Sequence, residues 1–184
     1  MACRMPSQNS HATAGFGGNV VYALAESRLG LVLAARSARG ICAILLGDDP
    51  GKLVAELRDA FPDAAQAKPN AASACVAEAV RLVNEPWRTV DFPLDIGGTD
   101  FQRRVWAELA KIPPGVTESY AEIARRIGAP KALRAVAGAC AANILAVAIP
   151  CHRVLRSNGS LSGYRWGMAR KKALIDSEKA GAST

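Results

Sequence analysis

Ser119-Tyr120-Ala121-Glu122-Ile123-Ala124-Arg125-Arg126-Ile127-Gly128-Ala129-Pro130-Lys131-Ala132-Leu133-Arg134-Ala135-Val136-Ala137-Gly138-Ala139-Cys140-Ala141-Ala142 holds the most decisive local signals of the chain. Ser119 and Glu122 have the spacing of a capping box, in which each satisfies an orphan amide of a first helical turn. Gly128 supplies a left-handed stop after Ile127. Pro130 suits the first turn of a second helix, Lys131 to Ala142. Two short helices joined through Gly-Ala-Pro match a helix-turn-helix. The second helix carries almost only small residues, so its axis can lie very close to another surface. That surface is either the protein's own interior, the commoner fate of an Ala-rich helix, or an outside partner. Arg134 weighs against the interior, because a long cation needs a partner if buried.

Working outward, Gly97-Gly98 is the best internal boundary. Thr99 or Asp100 can cap a helix to about Ala110, with Phe101, Val105 and Leu109 on one face. Pro113-Pro114-Gly115 stops it. Downstream, Leu145–Ile149 reads as a short strand, Asn158-Gly159 as a hairpin turn, and Met168 to Glu178 as a last helix. Upstream, Val20–Ala25, Leu29–Ala35 and Gly40–Leu46 are short apolar runs with tight polar connections, the pattern of an antiparallel meander. Asp49-Pro50 opens a helix through Phe61, and a second helix spans Ser73 to Asn84. Val90–Ile96 reads as an edge strand because of Pro93. The expected organisation is a flexible tail over 1–18, an α/β scaffold over 19–96 and a helical unit over 97–184.

Composition narrows the function classes. Of 184 residues, 50% are apolar and 21% charged, which describes a globular chain and not a disordered one. No apolar stretch is long enough for a membrane helix and the N-terminus lacks a signal peptide's apolar run, so a cytosolic protein with no membrane partner is expected. Five cysteines, widely spaced and without C-x-x-C, argue against a disulfide framework or a cysteine-based zinc site. Net charge is +7, but residues 1–96 carry nine Lys/Arg against ten Asp/Glu, whereas residues 97–184 carry fourteen against six. A basic half suits an acidic polymer as partner, and equally a plain solvated face.

Cys151 follows Pro150 and precedes His152, the one histidine outside the N-terminal tail. Thiolates attack and thiols do not, so a neighbouring base matters. Adjacent residues on an extended chain point to opposite sides; contact between Cys151 and His152 therefore needs a bend or a bridging water. A catalytic histidine also needs an orienting acid, and Asp176 and Glu178 are the candidates downstream. The bland alternative is a buried thiol beside a satisfied histidine. Cys42, Cys75 and Cys140 read as unreactive packing residues.

Pro150-Cys151-His152-Arg153-Val154 resembles the signature of the O6-alkylguanine-DNA alkyltransferases. Gly98-Thr99-Asp100-Phe101-Gln102, Val105-Trp106, Ile112-Pro113, Ser119-Tyr120, Arg134-Ala135-Val136 and Gly163-Tyr164 stand in the same order and spacing. Leu161–Gly167 and Arg39–Asp49 are similar to the bacterial branch and to the C-terminal half of Ada-type adaptive-response proteins. The likeness covers about residues 20–178 and includes no zinc-binding phosphotriester-repair domain, so none is expected on this chain.

The resemblance implies a ribonuclease-H-like α/β domain followed by a mainly α, winged-helix-like domain with a helix-turn-helix. It implies that the protein binds duplex DNA through the minor groove, as a monomer in the bacterial cytoplasm, and removes the alkyl group from O6-alkylguanine, and possibly O4-alkylthymine, onto Cys151. Such a thioether is not hydrolysed, so each molecule acts once, with no cofactor and no metal. By the same resemblance, His152 and Glu178 make the thiolate through a water, Tyr120 supplies a proton and Asn143 is a hinge. Arg134 fills the stack left by the rotated nucleotide; Lys131, Ala135, Gly138 and Arg153 accompany it on DNA. Val154, Tyr164, Arg165 and Trp166 are expected around the alkyl group, with Trp166 narrowing the pocket so that methyl is accepted better than benzyl. Asn143-Ile144 departs from the Asn-Pro of many relatives, as Ada-type members do. The rivals are a cysteine hydrolase, betrayed by many turnovers, and a non-catalytic DNA-binding regulator, betrayed by binding that ignores Cys151.

Overall fold

The computed structural model describes residues 19–68 and 73–181. The tail expected over 1–18, with Cys3 and His11, lies outside them.

The N-terminal meander forms as its apolar runs predict. Strands β1 (Val21–Ser27), β2 (Gly30–Arg36) and β3 (Ile41–Gly47) pair antiparallel in sequence order. The β1–β2 turn is closed by Ser27, whose hydroxyl donates to the Gly30 carbonyl at 2.7 Å. Gly30 has φ +98, and a Cβ there would meet the Gly47 carbonyl oxygen at 2.7 Å, so only glycine fits. β2 and β3 are buried along most of their length, as strands covered on both faces are. The helices α1 (Pro50–Ala60) and α2 (Ser73–Asn84) supply cover. Asp49 caps α1 by accepting from the Lys52 amide at 3.1 Å. The two-residue β4 (Ala65–Gln66) joins β1 in parallel and gives the mixed order β3-β2-β1-β4.

The outer edge of β3 joins the two halves. The Ile41 amide donates to the Pro93 carbonyl at 2.9 Å and the Asp95 amide donates back to Ile41 at 2.8 Å. Further along, the Ile44 amide donates to the Ile144 carbonyl at 2.8 Å and the Ile44 carbonyl accepts from the Ala146 amide at 3.0 Å. These contacts correct two expectations. Val90–Ile96 and Leu145–Ile149 are not strands; each contributes one isolated bridge, at Leu94 and Leu145. Pro93 has no N–H for a ladder. After Ala146 the chain turns, with Val147 at φ 65 and the Ile149 amide bonded to Leu145 at 3.0 Å.

In the C-terminal half, α3 (Asp100–Leu109) starts at Thr99 with a capping box to Gln102. Strand β5 (Glu118–Ser119) leads into α4 (Tyr120–Arg126), which carries the Ser119/Glu122 capping box. Gly128 at φ +71 ends it. Helix α5 spans Leu133–Ala142, two residues later than expected, because Pro130 and Lys131 lie in the connecting turn. A 3-10 turn, Cys151–Arg153, leads to β6 (Val154–Leu155), which pairs parallel with β5. The Asn158-Gly159 turn closes through a bond from the Gly159 amide to Arg156 at 2.9 Å, but its return segment forms no strand. Helix α6 (Met168–Gly181) is the last described element. Among the described residues, no helix is long and apolar enough to cross a membrane.

Candidate active site

The 3-10 turn supplies the bend that the Cys151–His152 pair needs. Cys151 is 4% exposed and contributes to the wall of a cavity of about 510 Å³, with Tyr120, Cys140, Ser162, Tyr164 and Arg165 around it. Asn143, at the end of α5, braces the thiol. Its amide donates to Cys151 Sγ at 3.3 Å and to the Ile149 carbonyl at 2.9 Å, while its oxygen accepts from the Leu145 amide at 2.9 Å. Burial pushes the Cys151 thiol above its ordinary range, against the opposing pull of the Asn143 amide and the Lys171 and Arg165 charges. The resting group is a thiol, and a base must take its proton.

His152 is the adjacent base. It is fully buried, and Nε2 lies 2.8 Å from Glu178 Oε1. An ionised carboxylate only accepts, so Nε2 carries the hydrogen and Nδ1 holds the lone pair. Nδ1 is itself buried without a hydrogen-bond partner. Burial lowers the pKa of His152 despite the opposing Glu178 charge, so the ring is neutral at pH 7. Burial opposes ionisation of Glu178, but hydrogen bonds from His152 and Arg153 outweigh it and hold the carboxyl below its ordinary range. The Gly115 amide adds a further donor at 3.1 Å. Among the described residues no hydrogen bond joins Cys151 directly to His152.

Arg153 is spent inside the protein. Its guanidinium donates to Glu178 at 2.8 Å and 3.0 Å, to the Pro86 carbonyl at 3.3 Å and to the Ile112 carbonyl. At 6% exposure it has no face for DNA, which corrects the expectation of a DNA contact. These bonds tie α6 and two loops to the reactive turn.

A second polar chain was not anticipated. Lys171 on α6 is completely buried and donates to the Val154 carbonyl at 2.6 Å and to Ser162 Oγ at 3.0 Å. Ser162 Oγ is 2.7 Å from the Tyr120 hydroxyl. Burial raises the Tyr120 pKa and lowers that of Lys171. The signal was periodicity: Lys171, Leu174, Ile175 and Glu178 fall at i, i+3, i+4 and i+7, so both charges share the buried stripe of α6.

The expected pocket residues divide. Tyr164 and Arg165 line the cavity; Val154 and Trp166 are buried and do not. Trp166 packs edge-on to Tyr164 at 5.2 Å, and Tyr164 meets the His152 ring edge-on at 6.5 Å. Trp166 therefore supports the wall from behind instead of narrowing the opening itself.

Helix α5 turns Val136, Ala139 and Cys140 inward, where Trp106 Nε1 donates to the Ala139 carbonyl at 2.9 Å. Lys131, Arg134, Ala135 and Gly138 are exposed. Arg134 makes no hydrogen bond or ion pair among the described residues, and a Cβ on Gly138 would meet nothing within 4 Å. The small residues of this face are thus not required by internal packing.

The remaining described thiols are poor nucleophiles. Burial pushes Cys42 up to about 12 and Cys75 up to about 11, and raises Cys140 further. Among the described residues no cluster of three His, Cys, Asp or Glu side chains could hold a metal ion.

Residues 100–180 match the family described as the DNA-binding domain of 6-O-methylguanine DNA methyltransferase. The chain is 52% identical over 160 residues to the bifunctional transcriptional activator/DNA repair enzyme Ada of Escherichia coli, covering 86% of this chain and 45% of that protein. It is 39% identical over 142 residues to a probable methylated-DNA–protein-cysteine methyltransferase of Acanthamoeba polyphaga mimivirus, covering 76% of this chain and 91% of the relative. The crystal structure of Mycobacterium tuberculosis OGT in complex with DNA is similar with a TM-score of 0.73 at 33% identity, covering 88% of this chain and 94% of the other. The chain spans about half the length of the bacterial Ada proteins it matches. Identity over nearly all of the viral relative, with the shared fold, places this chain in the methylated-DNA–protein-cysteine methyltransferase family.

Proposed function

We propose that the protein repairs O6-alkylguanine in duplex DNA by moving the alkyl group, chiefly methyl, to Cys151, once per molecule. The observation that carries this reading is the wall of the cavity: a thiol beside a neutral, buried histidine whose other nitrogen is held by Glu178. His152 Nδ1 takes the thiol proton through a water. The thiolate attacks the sp³ carbon on O6, the S–C bond forms, the C–O bond breaks and its electron pair stays with guanine. Guanine leaves poorly as an anion, so a proton must meet the developing charge. Tyr120 supplies it, its hydroxyl kept protonated by burial and linked through Ser162 to Lys171. The thioether persists, and O4-alkylthymine is a further substrate of the same chemistry.

Helix α5 enters the minor groove with Arg134, Ala135 and Gly138, and Lys131 in the turn before it follows them onto the DNA. Arg134 occupies the gap left when the damaged nucleotide rotates out, a step needed because a stacked guanine hides its O6 substituent. Asn143 couples this helix to the thiol. We read residues 19–96 as a ribonuclease-H-like scaffold and 97–184 as a winged-helix-like unit, acting as a monomer on DNA in the bacterial cytoplasm. Incubation with duplex carrying radiolabelled O6-methylguanine should place the label on the Cys151 peptide, and Cys151→Ser should take up none. Label on Cys140, or equal uptake by Cys151→Ser, contradicts the assignment.

A further inference from the structure

The segment Leu161–Gly167, which includes Ser162, Tyr164 and Arg165 of the cavity wall, has no regular secondary structure. Part of what holds it is the other half of the chain. Arg165 Nε donates to Glu56 Oε1 on α1 at 2.6 Å, and Nη1 donates to the Ala141 carbonyl in the last turn of α5 at 3.1 Å. The helix that carries this carboxylate is anchored, because Leu53 and Leu57, on either side of Glu56 along α1, are buried. A second tether follows: Arg170 holds the Trp166 carbonyl at 3.1 Å while reaching Asp48 at 2.6 Å and the Leu29 carbonyl at 2.8 Å. Two acids of the N-terminal half thus hold a loop of the C-terminal half in place. A planar guanidinium bonded through two of its nitrogens has a fixed plane, and Arg165 presents that fixed side chain to the cavity beside Cys151.

We propose that Glu56 is a specificity-determining positioning residue: by pinning Arg165 from α1, it sets the width of the cavity beside Cys151 and so the size of the alkyl group admitted. The inference rests on the alkyl-transfer reading for its biological meaning, although its geometry does not. Without the carboxylate, Arg165 keeps one carbonyl partner on a long flexible stem, and solvent competes for the guanidinium. The cavity then opens to bulkier groups. Glu56→Ala is the informative change, because it removes the acceptor on α1 and leaves on Arg165 the charge that favours the Cys151 thiolate.

The experiment compares wild type, Glu56→Ala and Arg165→Lys, which loses the two-nitrogen fork, after matched melting curves. Rates of Cys151 modification by iodoacetamide and by its N-benzyl derivative are followed by peptide mass spectrometry, beside single-turnover transfer from O6-methylguanine and O6-benzylguanine duplexes. Both variants should raise the benzyl-to-small ratio by about tenfold, the scale on which pocket size discriminates. An unchanged ratio overturns the proposal. If wild type reacts with neither duplex, the alkyl-transfer reading fails, while the two iodoacetamides still decide the role of Glu56.

Discussion

Arg134 and Arg153 lie nineteen residues apart in a basic half and have opposite fates. Arg153 sits 6% exposed in a nest of carbonyls and the Glu178 carboxylate; Arg134 stands in solvent on a helix face stripped of bulk. The difference lies in what each would leave unpaired. Desolvating a guanidinium is costly, and Arg153 offsets that cost only by using its donors on Glu178, Pro86 and Ile112 at once. Arg134 makes no hydrogen bond or ion pair among the described residues, which leaves its donors open for the proposed DNA contact. A cation is a ligand-binding residue where the fold declines to satisfy it, and a fastening where the fold satisfies it completely.

The first way to break this contrast is to remove the fastening. Arg153→Met leaves Glu178 buried with a reduced set of donors and should cost about 3–5 kcal/mol of stability, read from urea unfolding, with alkyl transfer lost alongside. A variant as stable as wild type would show that the cluster is ornamental. Next in size, Arg134→Ala should leave the unfolding midpoint within about 0.5 kcal/mol of wild type, as exposed substitutions do. It should nevertheless slow transfer from duplex by about tenfold or more, since a side chain stacked in place of a base is worth about 1–3 kcal/mol. Its reaction with free O6-methylguanine base should be unaltered; equal slowing on base and duplex would place Arg134 in the chemistry and not on the DNA.

Gly138 sharpens the comparison from the other side. Because open space surrounds its Cβ position, Gly138→Ala should stabilise α5 by about 0.5–1 kcal/mol. Gly138→Leu should weaken duplex binding while the fold tolerates it, and a loss of folding in Gly138→Leu would mean that the face is internal. The shallowest effect concerns pH. His152 is folded with its pKa below the ordinary 6.5, so the unfolded chain takes up the proton first and stability falls as pH drops through 6.5. Glu178 is held below the ordinary 4.5, so its contribution is full above that value and is lost as pH falls below it. Unfolding midpoints should therefore decline in two stages on acidification, and His152→Gln should remove the upper one. A midpoint that rises between about pH 7 and about pH 5 contradicts the buried neutral ring.

Local chemistry was legible in the residues themselves. The Ser119/Glu122 capping box, the Asp49-Pro50 start, Gly128 and the three apolar runs each specify their own geometry and appear where expected. Elements that depend on a remote partner were not legible. Val90–Ile96 and Leu145–Ile149 have strand composition, yet β3 pairs with only one or two residues of each. The periodicity of α6 puts Lys171 on its buried stripe, but nothing local says that Val154 and Ser162, 17 and 9 residues away, receive its ammonium. Arg153 failed for the same reason, its partners being 25, 41 and 67 residues away in sequence. Cys151 and His152 stand out from the local sequence, with Asp176 and Glu178 as the candidate acids; family resemblance chooses Glu178, and the 3-10 turn bends the chain at the pair without a hydrogen bond between them.

In the proposed reaction one buried sulfur accepts one alkyl group and keeps it. The direct measurement is a titration of the protein with excess O6-methylguanine duplex, counting methyl groups by intact mass and lesions by chromatography. One methyl gained and one lesion lost per molecule, with no later release, is the expected result. Continued loss of lesions after the protein has ceased to gain mass would contradict it.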